Sequence, residues 1–482
     1  AVGYNSLGAN TTGTSNVAMG YAALDANTTA NNNTALGYNA LTTNTTGAAN
    51  TAIGASSMLG NTTASDNTAL GVSSLYTNTT GTANTALGRS ALKANTTAAN
   101  NTAIGYHALT LNTTGTYNTA VGFDSGKAIT TGDYNTAVGG AALDANTTGA
   151  ANVAIGVSAL GTNTTASNNT ALGTDSLTAN TTGANNTAVG KSALVANTTG
   201  ASNTAVGKDA LDANTTASNN TAIGDGALTA NTTGSEVTAV GTSALAANTT
   251  GTNNVAVGKG ALDANTTAHN NTAVGTDSLG ANTTGASNTA VGKGALDAMV
   301  DGSDSTALGY NALGAHTGAA ATAVGSECMA LNTGSQNSGF GYGVLTTNST
   351  GAYNTGVGYQ ALYANDTTSY NTAVGKAALK ANLADYNTAL GWNALTVNTT
   401  GTQNTSLGWG AGANSTTGSQ NTYIGSAVAY ISENTGSYNT AVGREAFHST
   451  TTGASNAALG YRALYANTTG AGCVAIGASA LS

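Results

Sequence analysis

The chain has 482 residues, 65 of them Gly and none Pro, and only 6% are charged, against ~25% in ordinary soluble domains. Eleven Lys and Arg against 20 Asp and Glu leave a net charge of -9, which disfavours nucleic-acid binding, and the composition excludes collagen, a coiled coil and a charge-rich disordered tail. No apolar run reaches the ~18 residues of a membrane helix, and two Cys cannot supply a disulfide framework.

Read from its first residues, the chain is one repeat. The Gly of a recurring Ala-Val-Gly falls at Gly3, Gly20, Gly37 and onward to Gly477, 29 marks in all, and 24 of the 28 intervals are 17 residues. Such a period marks a solenoid and overrides the usual domain count, so residues 1–482 read as a single continuous array. The exceptions are three 16-residue intervals and one of 18, which place irregular coils around 292–391 and 425–443. The consensus is Asn-Thr-Ala-Val-Gly-x-x-Ala-Leu-x-Ala-Asn-Thr-Thr-Gly-Ala-Ser, numbered here as positions 1 to 17. Position 4 is apolar in all 29 copies, position 9 is Leu in 23 of 29, and position 1 is Asn in 24 of 28.

Fixed Gly, Asn and Thr leave no 3.6-residue face, so helix is a poor reading. Positions 2 to 4 predict a short strand, with Thr and the apolar residue on one face and Ala on the other. A second short strand is expected around the Ala-Leu of positions 8 and 9, and Asn-Thr-Thr-Gly is turn chemistry. Seventeen residues trace ~56 Å, one flattened coil; 29 coils stacked at ~4.8 Å would reach roughly 140 Å. The fold class is therefore all-β, a parallel β-solenoid of 28–29 coils. Burial within one coil falls short of the entropy of ordering it, so inter-coil ladders, Asn stacks at position 1 and neighbouring chains must contribute. The small Ala face at position 3 suits packing against another chain, and a parallel homo-oligomer, a trimer foremost, is expected.

Asn152-Val153-Ala154-Ile155-Gly156, Asn16-Val17-Ala18-Met19-Gly20 and Cys473-Val474-Ala475-Ile476-Gly477 resemble the Ser-Val-Ala-Ile-Gly core of head repeats in trimeric autotransporter adhesins. The resemblance implies a left-handed parallel β-roll in a homotrimer on a bacterial surface, although that family's usual unit is shorter. Longer arrays of this type also resemble repeats of phage-type tail-fibre proteins.

Chemistry-bearing residues are sparse. His107, His269, His316 and His448 fall in different coils, Gly-rich fragments such as Gly408-Trp409-Gly410 lack a following helix, and no catalytic residue, metal site or cofactor is expected. Lys at position 6 and Asp at position 10 (Lys208 with Asp212, Lys259 with Asp263, Lys293 with Asp297) read as solvated pairs. Two patterns remain. An Asn-x-Ser/Thr sequon recurs at position 12 in 20 of 28 copies, including Asn10, Asn27, Asn44, Asn163, Asn180, Asn197 and Asn467; it reads first as a turn and, alternatively, as a glycan row. Of 24 aromatic residues, 15 fall between Phe340 and Tyr465. Tyr342, Tyr359, Trp392, Trp409 and Tyr461 share position 6, either as a structural ladder or as a platform for glycans or a partner. The expected function is a non-enzymatic extracellular fibre or adhesin shaft, stiff and protease-resistant, whose partner is itself and whose further contacts are surface glycans. A host-recognising tail fibre is the alternative, and an ice-binding solenoid using the Thr of positions 13 and 14 a more distant one.

Overall fold

The computed structural model describes all 482 residues and contains no helix. The chain forms 28 strands of three residues each, one per repeat, and divides into two compact units, Ala1–Thr242 and Ser243–Ser482. Each unit is a parallel β-solenoid. In the first, strands run from β1 (Val17–Met19) to β14 (Thr238–Val240). Each pairs with the next in register, so that Thr204 meets Thr221, Ala205 meets Ala222 and Val206 meets Ile223. In the second, β15 (Val255–Val257) to β28 (Val474–Ile476) repeat the arrangement, and register survives the short coil in which Thr306, Ala307 and Leu308 oppose Thr322, Ala323 and Val324.

Only one strand forms per coil. The Ala-Leu segment expected to be a second strand is a turn, because positions 7 and 9 are left-handed: Asp209 has φ 52° and Leu211 φ 54°. It still bonds coil to coil, Leu211 N–H donating to Ala227 O at 3.0 Å. The ladder thus continues where strand conformation stops, and few backbone donors are left unpaired.

Burial reverses the sequence expectation for the strand. In every strand the central residue is buried and its neighbours are not. Ala205 is fully enclosed whereas position 4 faces outward, with Leu172 44% exposed. The core is narrow: Ala of position 3 faces Ala and Leu of positions 8 and 9, and Asn of positions 1 and 12 closes its ends. Leu at position 9 already fills this space, so only a methyl group fits opposite. Each buried Leu contributes ~1.5–3 kcal/mol.

Gly at position 5 is dictated by the next coil. Gly207 has φ +143°, and a Cβ there would lie 2.2 Å from Gly224 O, a contact no side chain tolerates. This close backbone approach explains why the ruler residue never varies across the array.

Candidate functional site

The most extensive outward feature is the strand face. Thr of position 2 and the apolar residue of position 4 project from it together, and Leu36, Leu87, Ile155, Ile223, Leu308 and Leu390 are all exposed. None of the 28 strands carries a charged residue. The Ala face proposed for chain packing is therefore corrected: Ala154, Ala171 and Ala188 are 0% exposed, and the surface open to another chain is the opposite, Thr and apolar one.

Asn forms two internal columns. At position 1 the side chain mostly serves the backbone: Asn203 N–H donates to Asn186 Oδ1 at 3.0 Å, and Asn203 Nδ2 donates to Ala217 O at 2.9 Å. The amide ladder proper runs at position 12. Asn197 Nδ2 donates to Asn180 Oδ1 at 2.8 Å and to Gly200 O at 2.9 Å, and its Oδ1 accepts from Asn214 Nδ2 at 2.8 Å. These are the sequon residues. Asn27, Asn44, Asn163, Asn180 and Asn197 are 0% exposed; Asn10 and Asn467 are partly buried, each with Nδ2 bonded to the carbonyl three residues on. The glycan row is corrected accordingly, because a sugar on Nδ2 would have to replace a ladder hydrogen and leave the core. The repeated sequon is a fold signal.

The aromatic residues of position 6 do stack where they fall in successive coils. Trp392 and Trp409 lie 5.2 Å apart at 9°, and Tyr342 and Tyr359 5.5 Å apart at 16°. Lys376 stands between the two pairs, its Nζ 5.8 Å from the Tyr359 ring. Tyr461 joins neither pair; the Arg462 guanidinium lies 5.1 Å from its ring. From Trp409 the column changes position, continuing through Tyr430 at 5.2 Å, His448 at 6.4 Å and Tyr465 at 4.7 Å. A sugar packs on an open ring face, and in these stacks neighbouring rings cover one another. The geometry favours the structural ladder over the glycan platform. A second column at position 17, Tyr353, Tyr370 and Tyr386 with 5.0 Å steps, escaped the sequence reading, which followed position 6 alone.

The titratable groups follow the same logic. Lys208 bonds Asp209 at 2.8 Å and not Asp212; the expected pairs of Lys259 and Lys293 with position 10 do not form within 4 Å. Burial, with the charge of Asp209 added, raises the Asp212 pKa. Asp263 and Asp297 are also raised, chiefly by burial. Burial pushes the Cys328 thiol up to about 12, which leaves it a packing group, while Cys473 is half-buried and free. His316 replaces Asn in the position-12 column, its Nδ1 3.1 Å from Asn332 O, and burial lowers its pKa. No known protein family's sequence profile matches the chain, and no curated protein is similar to it.

Proposed function

We propose that the chain is a non-enzymatic structural fibre or adhesin shaft, extracellular, that works as a parallel homo-oligomer. The trimer is the form its repeat resemblance implies. The outward Thr and apolar face is the contact between copies. One observation carries this reading: a large apolar side chain stands on the surface in coil after coil, unbroken by charge. Contiguous apolar surface beyond a few hundred Å² marks an interaction site in soluble proteins. A partner built on the same repeat would offer the same spacing.

The mass in solution tests this. Sedimentation is expected to give about three times the 46.4 kDa chain mass. The triple variant Val121→Asp, Val138→Asp, Ile155→Asp is expected to dissociate while keeping its β circular dichroism. A native chain that sediments as one 46.4 kDa particle overturns the oligomer. Ice binding is a second reading with its own observation. Of the two Thr expected to form an ice row, that of position 13 bonds the next coil, as Thr198 Oγ1 does to Thr215 O at 2.9 Å. That of position 14 is exposed coil after coil, as Thr29, Thr114 and Thr199 are, and Thr of position 2 adds a half-buried row on the strand face. The varied bulk of Met19, Leu36 and Phe340 at position 4 breaks the flatness an ice plane needs, and thermal hysteresis separates the two readings. The tail-fibre alternative rests on resemblance alone.

A further inference from the structure

Two successive coils of the second unit depart from the consensus together. Gly410 and Gly412 occupy positions 7 and 9, Ser415 replaces Asn at position 12, and the next coil is one residue longer, running Tyr430-Ile431-Ser432-Glu433. A Cβ on Gly410 would lie 2.7 Å from the Tyr430 ring, so that ring is seated on the glycine. Asn414 Nδ2 donates to Tyr430 O and holds the overhanging segment down. Beneath it lies a cleft of about 290 Å³ whose walls include Asn393, Thr396, Val397, Asn414, Tyr430 and Ile431. None of these is at position 2 or 4, so the cleft is separate from the outward strand face.

We propose that this cleft binds one neutral sugar residue. Its size lies near the lower end of ligand pockets, roughly 300–1,000 Å³, and suits a single ring. No charged side chain lines it, which rules against an anionic or cationic ligand. The Asn393 amide is half-buried and makes no hydrogen bond within the protein, leaving two donors and an acceptor for ring hydroxyls. Thr396 Oγ1 donates to Ala377 O at 3.2 Å and keeps its lone pairs for a further donor. Val397 and Ile431 supply aliphatic surface for the C–H face of a sugar. Amides beside aliphatic groups, without charge, match a molecule that is itself half hydroxyl and half hydrocarbon.

The test is saturation-transfer NMR and titration of the full chain with glucose, galactose, mannose and N-acetylglucosamine in turn. At least one is expected to bind. Asn393→Gly is the decisive variant, because Gly226, Gly260 and Gly294 already stand at position 7 with positive φ and the backbone accepts the change. Binding is expected to weaken at least tenfold in Asn393→Gly, to weaken also in Ile431→Ala, and to persist in Asn311→Gly, the same change in a coil without a cleft. Absence of binding to all four sugars at millimolar concentration overturns the proposal. So does unchanged affinity in Asn393→Gly, or loss in Trp392→Ala equal to that in Asn393→Gly, which would move the site to the aromatic column.

Discussion

Single residues show how tightly the backbone dictates composition. Positions 7, 9 and 17 carry positive φ, as Asp209, Leu211 and Asn219 do, and none of them is Val, Ile or Thr in any copy. A β-branched side chain crowds the left-handed conformation, so Leu prevails at position 9 for a reason that size alone does not supply. The position-12 column has an equally local logic. Asn112, Asn282 and Asn398 each have an Oδ1 without a partner, and each directly precedes a coil where Asn is lost, to Ile129, Met299 and Ser415. At the first break, Gly126 replaces Leu, and a Cβ on it would lie 3.1 Å from Ile129 Cδ1; the Ile fills the space the Leu vacated. Restoring one residue without the other should therefore fail. Gly126→Leu is expected to overpack, Ile129→Asn to leave a cavity, and the double variant to exceed the sum of the two by about 0.5–3 kcal/mol in urea unfolding. Additive effects would mean that the two sites do not share that space.

At the scale of the coil, departures come in compensating sets. Val344 at position 8 stands against Gly356 at position 3, where a Cβ would lie 2.5 Å from Val344 Cγ1, and Cys328 and Met329 stand likewise against Gly339. The 16-residue coils drop a residue from the Asn-Thr-Thr bend, outside the strand and the Leu turn, so both keep register. One such coil carries His316, fully buried with Nε2 unpartnered. Because burial depresses its pKa in the folded chain, both states are neutral above ~6.5, and the unfolded state gains the proton first as pH falls. Stability is thus complete above pH ~6.5 and declines below it towards the folded pKa, by at most about 1.4 kcal/mol per pH unit for one proton. Thermal melts at pH 7.5 and 5.5 are expected to show this loss, and His316→Asn, which returns the consensus residue to the ladder, is expected to reduce it. Equal slopes in the two proteins would assign the pH dependence elsewhere, for example to His448, whose pKa burial also lowers.

At the scale of the whole molecule, stability is a sum of like coils and their interfaces, as in other solenoids. Within the first unit, deleting residues 186–202 joins position 17 to position 1 and removes one complete coil. That variant is expected to fold with unchanged cooperativity and a β signal smaller by one coil, whereas deleting residues 186–193 alone should destroy register and lower the melting temperature sharply; circular dichroism distinguishes them. Much of this organisation was legible in the sequence. The 17-residue period, the strand at positions 2 to 4, the ruler Gly and the irregular coils all follow from residue identity at fixed spacing, because stacking forces identical residues into columns. Legibility ended where the alternation had to be oriented. Thr-Ala-Val partitions into two faces with a period of two, but that period is the same whichever face is inside, and the small Ala face, expected outside against another chain, is the inner one. The coil's width decides otherwise: Leu of position 9 crosses it and leaves room for a methyl group, so Ala turns in and Val turns out. The same width draws the position-12 amides inside, closing the sequons to glycans, and only the three-dimensional overhang of Tyr430 on Gly410 forms a cleft. Periodicity is a property of the chain, whereas inside and outside are properties of the space it encloses.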